Sequence, residues 1–321
     1  MNNVWENVKC LTGDDENVCK FVFTNELNKG AVAETVLYKY PTYQERTVVC
    51  FSVMSGCPVG CRFCGTGEFF IRNLTADEIV TQVVHVLDTT GVDPQTIQKL
   101  QLMAMSMGEP MLNKNGLTGA LRRLHELYPN AALLVSTSAP DVDYSWFRDL
   151  SVEIPNIGLQ FSIHESTDEA RDKLIPFKAK LNLEEIAEQG EAWFYTTGRQ
   201  PFFNYCAHDK NTSKSDANRL RYHFDSDIWQ ATVSVICDSD ESIAAANDRQ
   251  KELAENFMGR LVDYGFSVRC FNPAGQSFGG GCGQLFYVQE YARNHPELTK
   301  KSCGAGKDKV HAPRVIEIVK E

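Results

Sequence analysis

The sequence predicts an α/β protein built as a partial (β/α)6 barrel, with a short strand-rich lead-in and a C-terminal extension. Three observations predict this fold. From about residue 47 onwards, short apolar runs alternate with amphipathic stretches of helical spacing. The 321 residues fit one barrel domain as well as two smaller domains, and 43% of them are hydrophobic, which is enough for a large core. The sequence contains no internal repeat or low-complexity tract that would indicate another architecture.

Residues 1–46 are predicted to form the β-rich N-terminal lead-in. Two short runs of strand-forming residues, Lys20–Phe23 and Thr35–Tyr38, lie on either side of a turn-like stretch that ends at Gly30. Aromatic and β-branched residues favour extended backbone, whereas Asn and Gly favour turns. We therefore expect short strands here.

Residues 47–290 are predicted to form the barrel, followed by a charged tail over 291–321. Seven apolar runs are the predicted strands, at 48–51, 100–105, 131–136, 157–162, 202–206, 232–237 and 266–271. Six stretches of helical spacing are the predicted helices, at 75–87, 117–127, 144–150, 183–188, 215–224 and 244–264. Thr75 and Glu78 have the spacing of a capping box at the first helix. Strands separated by helices favour a parallel sheet, and this number of units favours an open barrel over a closed eightfold one.

The charge balance and hydropathy exclude several classes of protein. The net charge of −10 argues against a surface coated in basic residues for nonspecific nucleic-acid binding, although it permits a local basic groove. No run of 18 apolar residues is present, so we expect no membrane span. The amino terminus lacks the pattern of a signal peptide, and we expect the chain to stay in the cytosol.

Three of the eleven cysteines have the spacing of a metal site. Cys57, Cys61 and Cys64 form a C-x3-C-x2-C motif after the first predicted barrel strand, in a loop bent by Pro58 and Gly60. A closed structural zinc site needs four ligands. A [4Fe-4S] cluster held by three cysteines leaves one iron open for a substrate or cofactor. A zinc site with a distant fourth ligand remains the alternative.

The spacing, with Phe63 just before the third cysteine, resembles the signature of radical S-adenosylmethionine (SAM) enzymes. This resemblance implies that the open iron binds the amino and carboxylate groups of SAM. It also implies that an electron from the cluster cleaves SAM to a 5′-deoxyadenosyl radical.

Residues at the ends of the next three barrel strands are candidate SAM ligands, because active sites of such folds lie at the carboxyl ends of the strands. Glycine permits a close backbone approach, a carboxylate could hold the SAM ammonium, and hydroxyls suit ribose or carboxylate groups. The candidates are Gly108, Glu109, Ser136, Ser162, Ile163 and His164. Taken singly, a Ser or Glu at such a position is more often a helix cap or turn residue.

The chain resembles one family in particular, the RlmN and Cfr adenosine methyltransferases of ribosomal RNA, over about residues 30–290. Six motifs carry this resemblance: Phe70–Ile79, Met107–Asn113, Ser136–Ser138, Ser162–His164, Asp168–Pro176 and Cys282–Leu285. The resemblance implies a partial radical SAM barrel, with RNA as the substrate.

The resemblance also implies three catalytic residues. Cys282 takes a methyl group from one SAM, and the radical formed from a second SAM abstracts hydrogen from that methyl group before it adds to the purine carbon. Cys50 then attacks Cys282, forming a transient disulfide and releasing the product, while Glu34 accepts a proton. From the residues alone, Cys50 could be a core strand cysteine, Cys282 a free loop thiol and Glu34 an exposed strand carboxylate.

Three features depart from the family pattern. Asp238 stands at the place of an asparagine that contacts SAM, and we assign Asp238 to the same role. Only about thirty residues precede Glu34, so we expect the family's N-terminal helical RNA-binding domain to be absent. The approach to Cys282, residues 273–281, is nearly uncharged.

The sequence thus predicts a cytosolic radical SAM methyltransferase that modifies adenosine C2 in ribosomal or transfer RNA and receives electrons from a low-potential donor such as flavodoxin. One alternative is the same chemistry on adenosine C8, a small RNA, DNA or a nucleotide. Others are a radical SAM enzyme without methylation and a metal-binding module without catalysis. Six cysteines have no assigned role: Cys10, Cys19, Cys206, Cys237, Cys270 and Cys303.

Overall fold

The computed structural model describes residues 4–13, 15–27, 30–235, 243–271, 279–281 and 283–305. These residues form thirteen strands and eight α-helices. The strands are β1 (Asn7–Thr12), β2 (Val18–Asn25), β3 (Ala31–Lys39), β4 (Arg46–Phe51), β5 (Met54–Gly56), β6 (Phe69–Asn73), β7 (Lys99–Ala104), β8 (Ala132–Thr137), β9 (Ile157–Ser162), β10 (Phe202–Ala207), β11 (Gln230–Val235), β12 (Ser267–Phe271) and β13 (Lys300–Lys301). The helices are α1 (Ala76–Asp88), α2 (Lys114–Leu127), α3 (Ser145–Glu153), α4 (Asp168–Leu174), α5 (Leu183–Thr197), α6 (Lys214–His223), α7 (Ile243–Asp263) and α8 (Tyr287–Asn294).

Ten strands form one sheet in the order β1-β2-β3-β4-β7-β8-β9-β10-β11-β12. Strands β1 to β4 pair antiparallel, which makes the lead-in a continuation of the barrel sheet. From β4 to β12 all neighbours are parallel, and each connection carries at least one helix. β1 and β12 are the two edges of this sheet, so the described residues form an open barrel. The predicted α/β fold with a partial barrel is confirmed.

Alternation along the parallel strands separates a packed face from an inner face. Leu102, Leu133 and Phe161 belong to the large apolar core. Residues of opposite parity, such as Ser136 and Ser162, face the other side and are half-buried. The inner face of the barrel is therefore the side on which a polar ligand can be held.

Local signals explain most helix boundaries. Thr75 and Glu78 form the expected capping box at the start of α1, because each side chain binds the other residue's backbone N–H. The helix expected at 183–188 continues to Thr197, where Gly198 adopts a left-handed conformation (φ 70°) and ends α5. Among the described helices, none is long and apolar enough to span a bilayer.

Six strands and α-helices were not among the predicted ones, namely α4, α8, β1, β5, β6 and β13. Helix α4 lies between β9 and α5, and the short strands β5, β6 and β13 form a separate sheet in the order β13-β6-β5. Helix α8 crosses the expected boundary at 290/291. The part of the expected tail that the structure describes, up to residue 305, therefore packs on the domain through β13.

Candidate active site

The three motif cysteines lie in a loop between β5 and β6, which we call the cluster loop (residues 57–64). The Cys57 amide donates to the Phe69 carbonyl (2.9 Å), and the Cys64 amide donates to the Cys61 carbonyl (3.2 Å). All three cysteine side chains are half-buried. The loop follows β5 rather than the first barrel strand directly, because β5 and β6 form a hairpin that carries it.

Burial and neighbouring charges raise the pKa values of thiols in the cluster loop. Burial raises the pKa of Cys61 most, and the charges of Cys57, Cys64 and Glu109 raise this pKa further. Burial likewise raises the pKa of Cys57. Without a bound cation these groups are therefore neutral thiols, and a metal that takes thiolate ligands would have to supply the positive charge.

Three thiols in one loop are a donor set that an iron–sulfur cluster can use. Across the described ranges, no group of three or more His, Cys, Asp or Glu side chains is gathered closely enough to hold a single metal ion. The cysteines of a cubane bind different irons, whereas the ligands of one ion must converge on one point.

The carboxylate of Glu109 is already bound within the protein. Glu109 is 3% exposed. Its Oε1 accepts hydrogen bonds from Thr137 Oγ1 (2.5 Å) and the Met111 amide (3.0 Å). Its Oε2 accepts from the Ser138 amide and the Ser138 hydroxyl, each at 2.7 Å. Burial raises the pKa of Glu109, and these hydrogen bonds offset part of the rise. Glu109 therefore joins the ends of β7 and β8, in addition to any contact with SAM.

Gly108 adopts a conformation that favours glycine, with φ 101°. A Cβ at this position would stand 2.5 Å from Met54 Cβ. The close packing of Gly108 on Met54 brings the end of β7 against β5, which leads into the cluster loop. Gly108, which we expected to permit a close approach of SAM to the backbone, thus also permits the close packing of β7 on β5.

Hydroxyl and amide groups form a row across the inner face. Ser136 Oγ lies 3.2 Å from Ser162 Oγ. Ser162 pairs with Asn204 in the β9–β10 register, and the Asn204 side chain accepts from Ser234 Oγ at 3.2 Å. The structure therefore brings the two predicted serines together and adds Asn204 and Ser234, which sequence reasoning did not select. Their signal was a polar residue inside an otherwise apolar strand.

Ile163 and His164 follow β9 and turn toward the cluster loop. Their amides both donate to the Asn204 carbonyl, at 3.1 and 3.2 Å. His164 has φ 62°, and its ring meets the Phe63 ring edge-on at 5.0 Å. Burial lowers the pKa of His164 to about 3, helped by the charges of Arg171 and His208. His164 is therefore a neutral imidazole beside the cluster loop at every physiological pH.

Cys50 and Glu34 share one face of the sheet. Cys50 pairs with Val36 across β4 and β3, and Glu34 lies two residues before Val36 on the same face. Cys50 is 7% exposed and lies in an apolar cluster with Val36 and Leu285. Glu34 is fully buried, which shows that the alternative of an exposed strand carboxylate is wrong.

Glu34 has a buried partner that the sequence analysis did not identify. Lys20 on β2 forms an ion pair with Glu34 Oε2 at 2.9 Å, and both side chains are 0% exposed. Burial raises the pKa of Glu34, while the charge of Lys20 opposes the rise. The signal for this pair was a lysine between Val18 and Val22, in a run whose neighbours of the same parity are apolar.

The residues on either side of Cys282 contact both Glu34 and the two residues directly after the cluster loop. We call residues 279–281 and 283–287 the carrier segment. The Tyr287 amide donates to Glu34 Oε1 (2.8 Å), and the Gly65 amide donates to the Gly283 carbonyl (2.6 Å). Thr66 Oγ1 donates to the Leu285 carbonyl at 2.9 Å.

The predicted methyl carrier and one predicted SAM ligand lie outside the described residues. They are Cys282 and Asp238.

Comparison with known proteins finds relatives along most of this chain. The probable dual-specificity RNA methyltransferase RlmN of Salinispora arenicola is 30% identical over 289 residues, which cover 87% of this chain and 73% of that protein. The chain belongs to the RlmN family. Another RlmN, from Thermus thermophilus, is 36% identical over 204 residues, but the match covers only 54% of that relative's length.

A solved structure supports the RlmN assignment at the level of the fold. The crystal structure of a radical SAM methyltransferase from Sphaerobacter thermophilus superposes with a TM-score of 0.71 and 28% identity, over 86% of this chain and 80% of that one. No family model matches the sequence. The predicted resemblance to the RlmN family is thus confirmed by both sequence and structure relatives.

Proposed function

We propose that this protein is a radical SAM methyltransferase that methylates C2 of an adenosine in RNA through a methylated Cys282. The observation that carries the proposal is the shared position of Cys50 and Glu34. Both lie on the face of the sheet that Leu285 of the carrier segment covers, and the same segment is hydrogen-bonded to Gly65 and Thr66, directly after the cluster loop. The names of the RlmN relatives, dual-specificity RNA methyltransferases, support an RNA substrate.

The residues of the site suit the two cofactors of this chemistry. Cys57, Cys61 and Cys64 would hold a [4Fe-4S] cluster, which when bound supplies the electron that cleaves SAM to a 5′-deoxyadenosyl radical. The strand-end residues would surround SAM, and they are Gly108, Glu109, Ser136, Ser162, Ile163, His164 and Asp238. His164 is neutral, so it adds no charge that would repel the SAM sulfonium.

Cys282 gives the reaction a route to a carbon that is not nucleophilic. Its thiolate attacks the methyl group of one SAM, forming a carbon–sulfur bond and releasing S-adenosylhomocysteine. The 5′-deoxyadenosyl radical would take a hydrogen atom from this methyl group, leaving a carbon radical that adds to C2 of adenine. The adduct radical, which joins the protein to the RNA, then loses one electron, and a bound cluster, oxidised by the cleavage of SAM, would accept that electron.

Glu34 and Cys50 complete the turnover. Glu34 would take the proton from C2, and its raised pKa brings its basicity closer to neutral pH, where a general base works best. Cys50 would attack the Cys282 sulfur, forming a disulfide while the carbon–sulfur bond to the product breaks. The electron pair of that bond stays on the product carbon, which takes up a proton to become the methyl group. Two electrons from a dithiol reductant then restore both thiols.

The partners follow from this chemistry. An adenosine in ribosomal or transfer RNA is the substrate, and a low-potential donor such as flavodoxin supplies the electron. Reduced cysteines and an RNA substrate are what we expect of a cytosolic enzyme.

Mass spectrometry of nucleosides from expressing cells tests the proposal. Ribosomal and transfer RNA from cells that make the protein should contain additional 2-methyladenosine, and cells that make Cys282→Ala should not. The Cys282 peptide of the purified wild-type protein should carry an added CH2. Additional 8-methyladenosine would correct the position, methylated DNA would correct the substrate, and no methylated nucleoside would contradict the proposal.

A further inference from the structure

Lys20 is a charged side chain in a position that the fold otherwise gives to apolar residues. It lies on β2 between Val18 and Val22, which belong to the apolar cluster that contains Leu285 of the carrier segment. Its side chain is 0% exposed. A buried ammonium group is costly unless hydrogen bonds and an opposite charge compensate for its lost hydration.

The compensation comes from Glu34 and from the carrier segment. Lys20 Nζ lies 2.9 Å from Glu34 Oε2 and donates to the Gly279 carbonyl at 2.8 Å. It also lies 5.0 Å from the ring centroids of both Phe286 and Tyr287, which stack on each other. A cation over two aromatic faces is attracted by both rings. One ammonium group thus contacts the carrier segment before and after Cys282.

Two further hydrogen bonds hold the same segment to the lead-in strands. The Tyr287 amide donates to Glu34 Oε1 at 2.8 Å, so Glu34 is bound from Lys20 on one side and from the segment on the other. Tyr38 Oη donates to the Gly280 carbonyl at 3.3 Å. The attachment therefore has the Lys20–Glu34 pair at its centre and the segment's backbone around it.

Stability alone does not explain such a pair. Apolar residues of similar volume often replace a buried ion pair with no loss of stability, whereas charged pairs select one arrangement over others. The arrangement selected here is the position of the carrier segment over Glu34. We propose that Lys20 is a positioning residue, which holds the residues around Cys282 over the site where the methyl carbon meets the substrate. This inference rests on the proposed function.

The position of the carrier segment should determine how often the cleavage of SAM leads to methylated RNA. Each cleavage of SAM yields product only if the methyl group on Cys282 is placed first toward the radical and then toward adenine. A misplacement of about 1 Å costs on the order of 100-fold in such steps. Loss of Lys20 should therefore leave SAM cleavage intact and lower the yield of methylated RNA per SAM cleaved.

The decisive variant is Lys20→Met, which keeps the length of the side chain and removes its charge. Lys9→Met is the matched control, because Lys9 is an exposed lysine on the neighbouring strand β1. Both proteins are assayed with their cluster under reducing, anaerobic conditions for 5′-deoxyadenosine and for methylated RNA. For Lys20→Met we expect the amount of 5′-deoxyadenosine to stay within about twofold of wild type. The amount of methylated RNA formed per 5′-deoxyadenosine should fall about tenfold or more. An unchanged ratio in Lys20→Met would overturn the inference, whatever the change in melting temperature.

A second readout separates this inference from the proposed function. Cys282 is alkylated with iodoacetamide, without SAM or RNA, in wild type and in both single variants. We expect the rate of Cys282 alkylation to change by about tenfold in Lys20→Met and to stay at the wild-type rate in Lys9→Met. If wild type makes no methylated RNA but the alkylation rate responds, the proposed function fails and the anchoring role of Lys20 stands.

A double variant covers the case in which Lys20→Met does not fold. Lys20→Met with Glu34→Gln removes both charges, so no unpaired ion remains buried and the protein should fold. Its Cys282 should still be alkylated at a rate that differs from wild type. The same rate as wild type in a folded double variant would show that the segment is held by other contacts, against the inference.

Discussion

Cys50 and Glu109 each contact several groups of the candidate site, so more than one role is compatible with the position of each. Cys50 is a buried strand cysteine in the apolar cluster that includes Leu285, and its position is compatible with a core residue and with the proposed resolving thiol. Burial raises the pKa of the neighbouring Tyr40, and a charge on the Cys50 thiolate would raise this pKa further. Glu109 also has more than one contact. We expected it to bind SAM, and its carboxylate accepts hydrogen bonds from Thr137 and Ser138 within the protein.

Replacement of Cys50 distinguishes its two interpretations. As a core residue alone, Cys50→Ala should cost about 1–2 kcal/mol of unfolding free energy and leave turnover intact. As the resolving thiol, Cys50→Ala should fold, bind its cluster and methylate Cys282, but stall with RNA attached to Cys282. After nuclease digestion, mass spectrometry should then find a nucleotide-sized mass on the Cys282 peptide.

The matched control for this experiment is Cys19→Ala, which removes a half-buried cysteine from β2. This variant should turn over many times and carry no adduct. Multiple turnovers in Cys50→Ala itself would show that Cys50 plays no part in product release.

At the scale of elements, the cluster loop is held by chain that comes from the far end of the sequence. β13 pairs with β6, and the Ser302 hydroxyl donates to the Cys57 carbonyl. The Cys303 amide donates to the Pro58 carbonyl at 3.3 Å. Gly60 has φ 75°, and its Cα stands so close to the Gly304 amide that no Cβ fits between them.

Gly60→Ala should therefore disturb the cluster loop in two ways, through backbone strain and through overlap with Gly304. Gly91→Ala is the control, because Gly91 has a similar φ of 67° but open space around it. Strain alone should cost Gly91→Ala about 1 kcal/mol of unfolding free energy. Gly60→Ala should in addition lose bound iron, measured as iron per chain after anaerobic reconstitution. Wild-type iron content in Gly60→Ala would show that the contact with Gly304 does not shape the loop.

At the scale of the whole molecule, one sheet combines the lead-in, the barrel and the attachment of the carrier segment. The lead-in strands supply Lys20 and Glu34, the first barrel strand supplies Cys50, and the following strands supply the polar row that includes Ser136. Because the net charge is −10, the RNA binding that we propose would have to depend on local features rather than on a basic surface.

The proposed iron–sulfur cluster can be tested directly on the purified protein. Anaerobically purified protein should be brown and contain about four irons and matching sulfide per chain. Ala in place of Cys57, Cys61 or Cys64 should remove both the iron and the cleavage of SAM. The unassigned Cys270, which is exposed on β12, is the control, and Cys270→Ala should keep both. One zinc per chain without sulfide would contradict the cluster.

Much of the fold could be predicted because it depends on local patterns. Alternation and helical spacing located six helices and seven parallel strands, and the Thr75 capping box marked the start of α1. The short helix α4 and the two-residue strand β13 were missed, because elements this short are not long enough to show a hydrophobic periodicity. The cysteine motif was also local, which is why it could be recognised from its spacing.

The sequence by itself determined the order of strands and helices, the cysteine motif and the set of polar residues at the strand ends. Only the tertiary structure decided which of these groups bind one another. Lys20 meets the Gly279 carbonyl across 259 residues of chain, and Glu109 meets Ser138 across 29. Periodicity is set by neighbours a few residues apart, whereas these contacts depend on how the sheet curves and where the C-terminal segment returns to it. For this reason the sequence supplied the candidate residues, and the fold decided how Glu34, Cys50 and the carrier segment are held together.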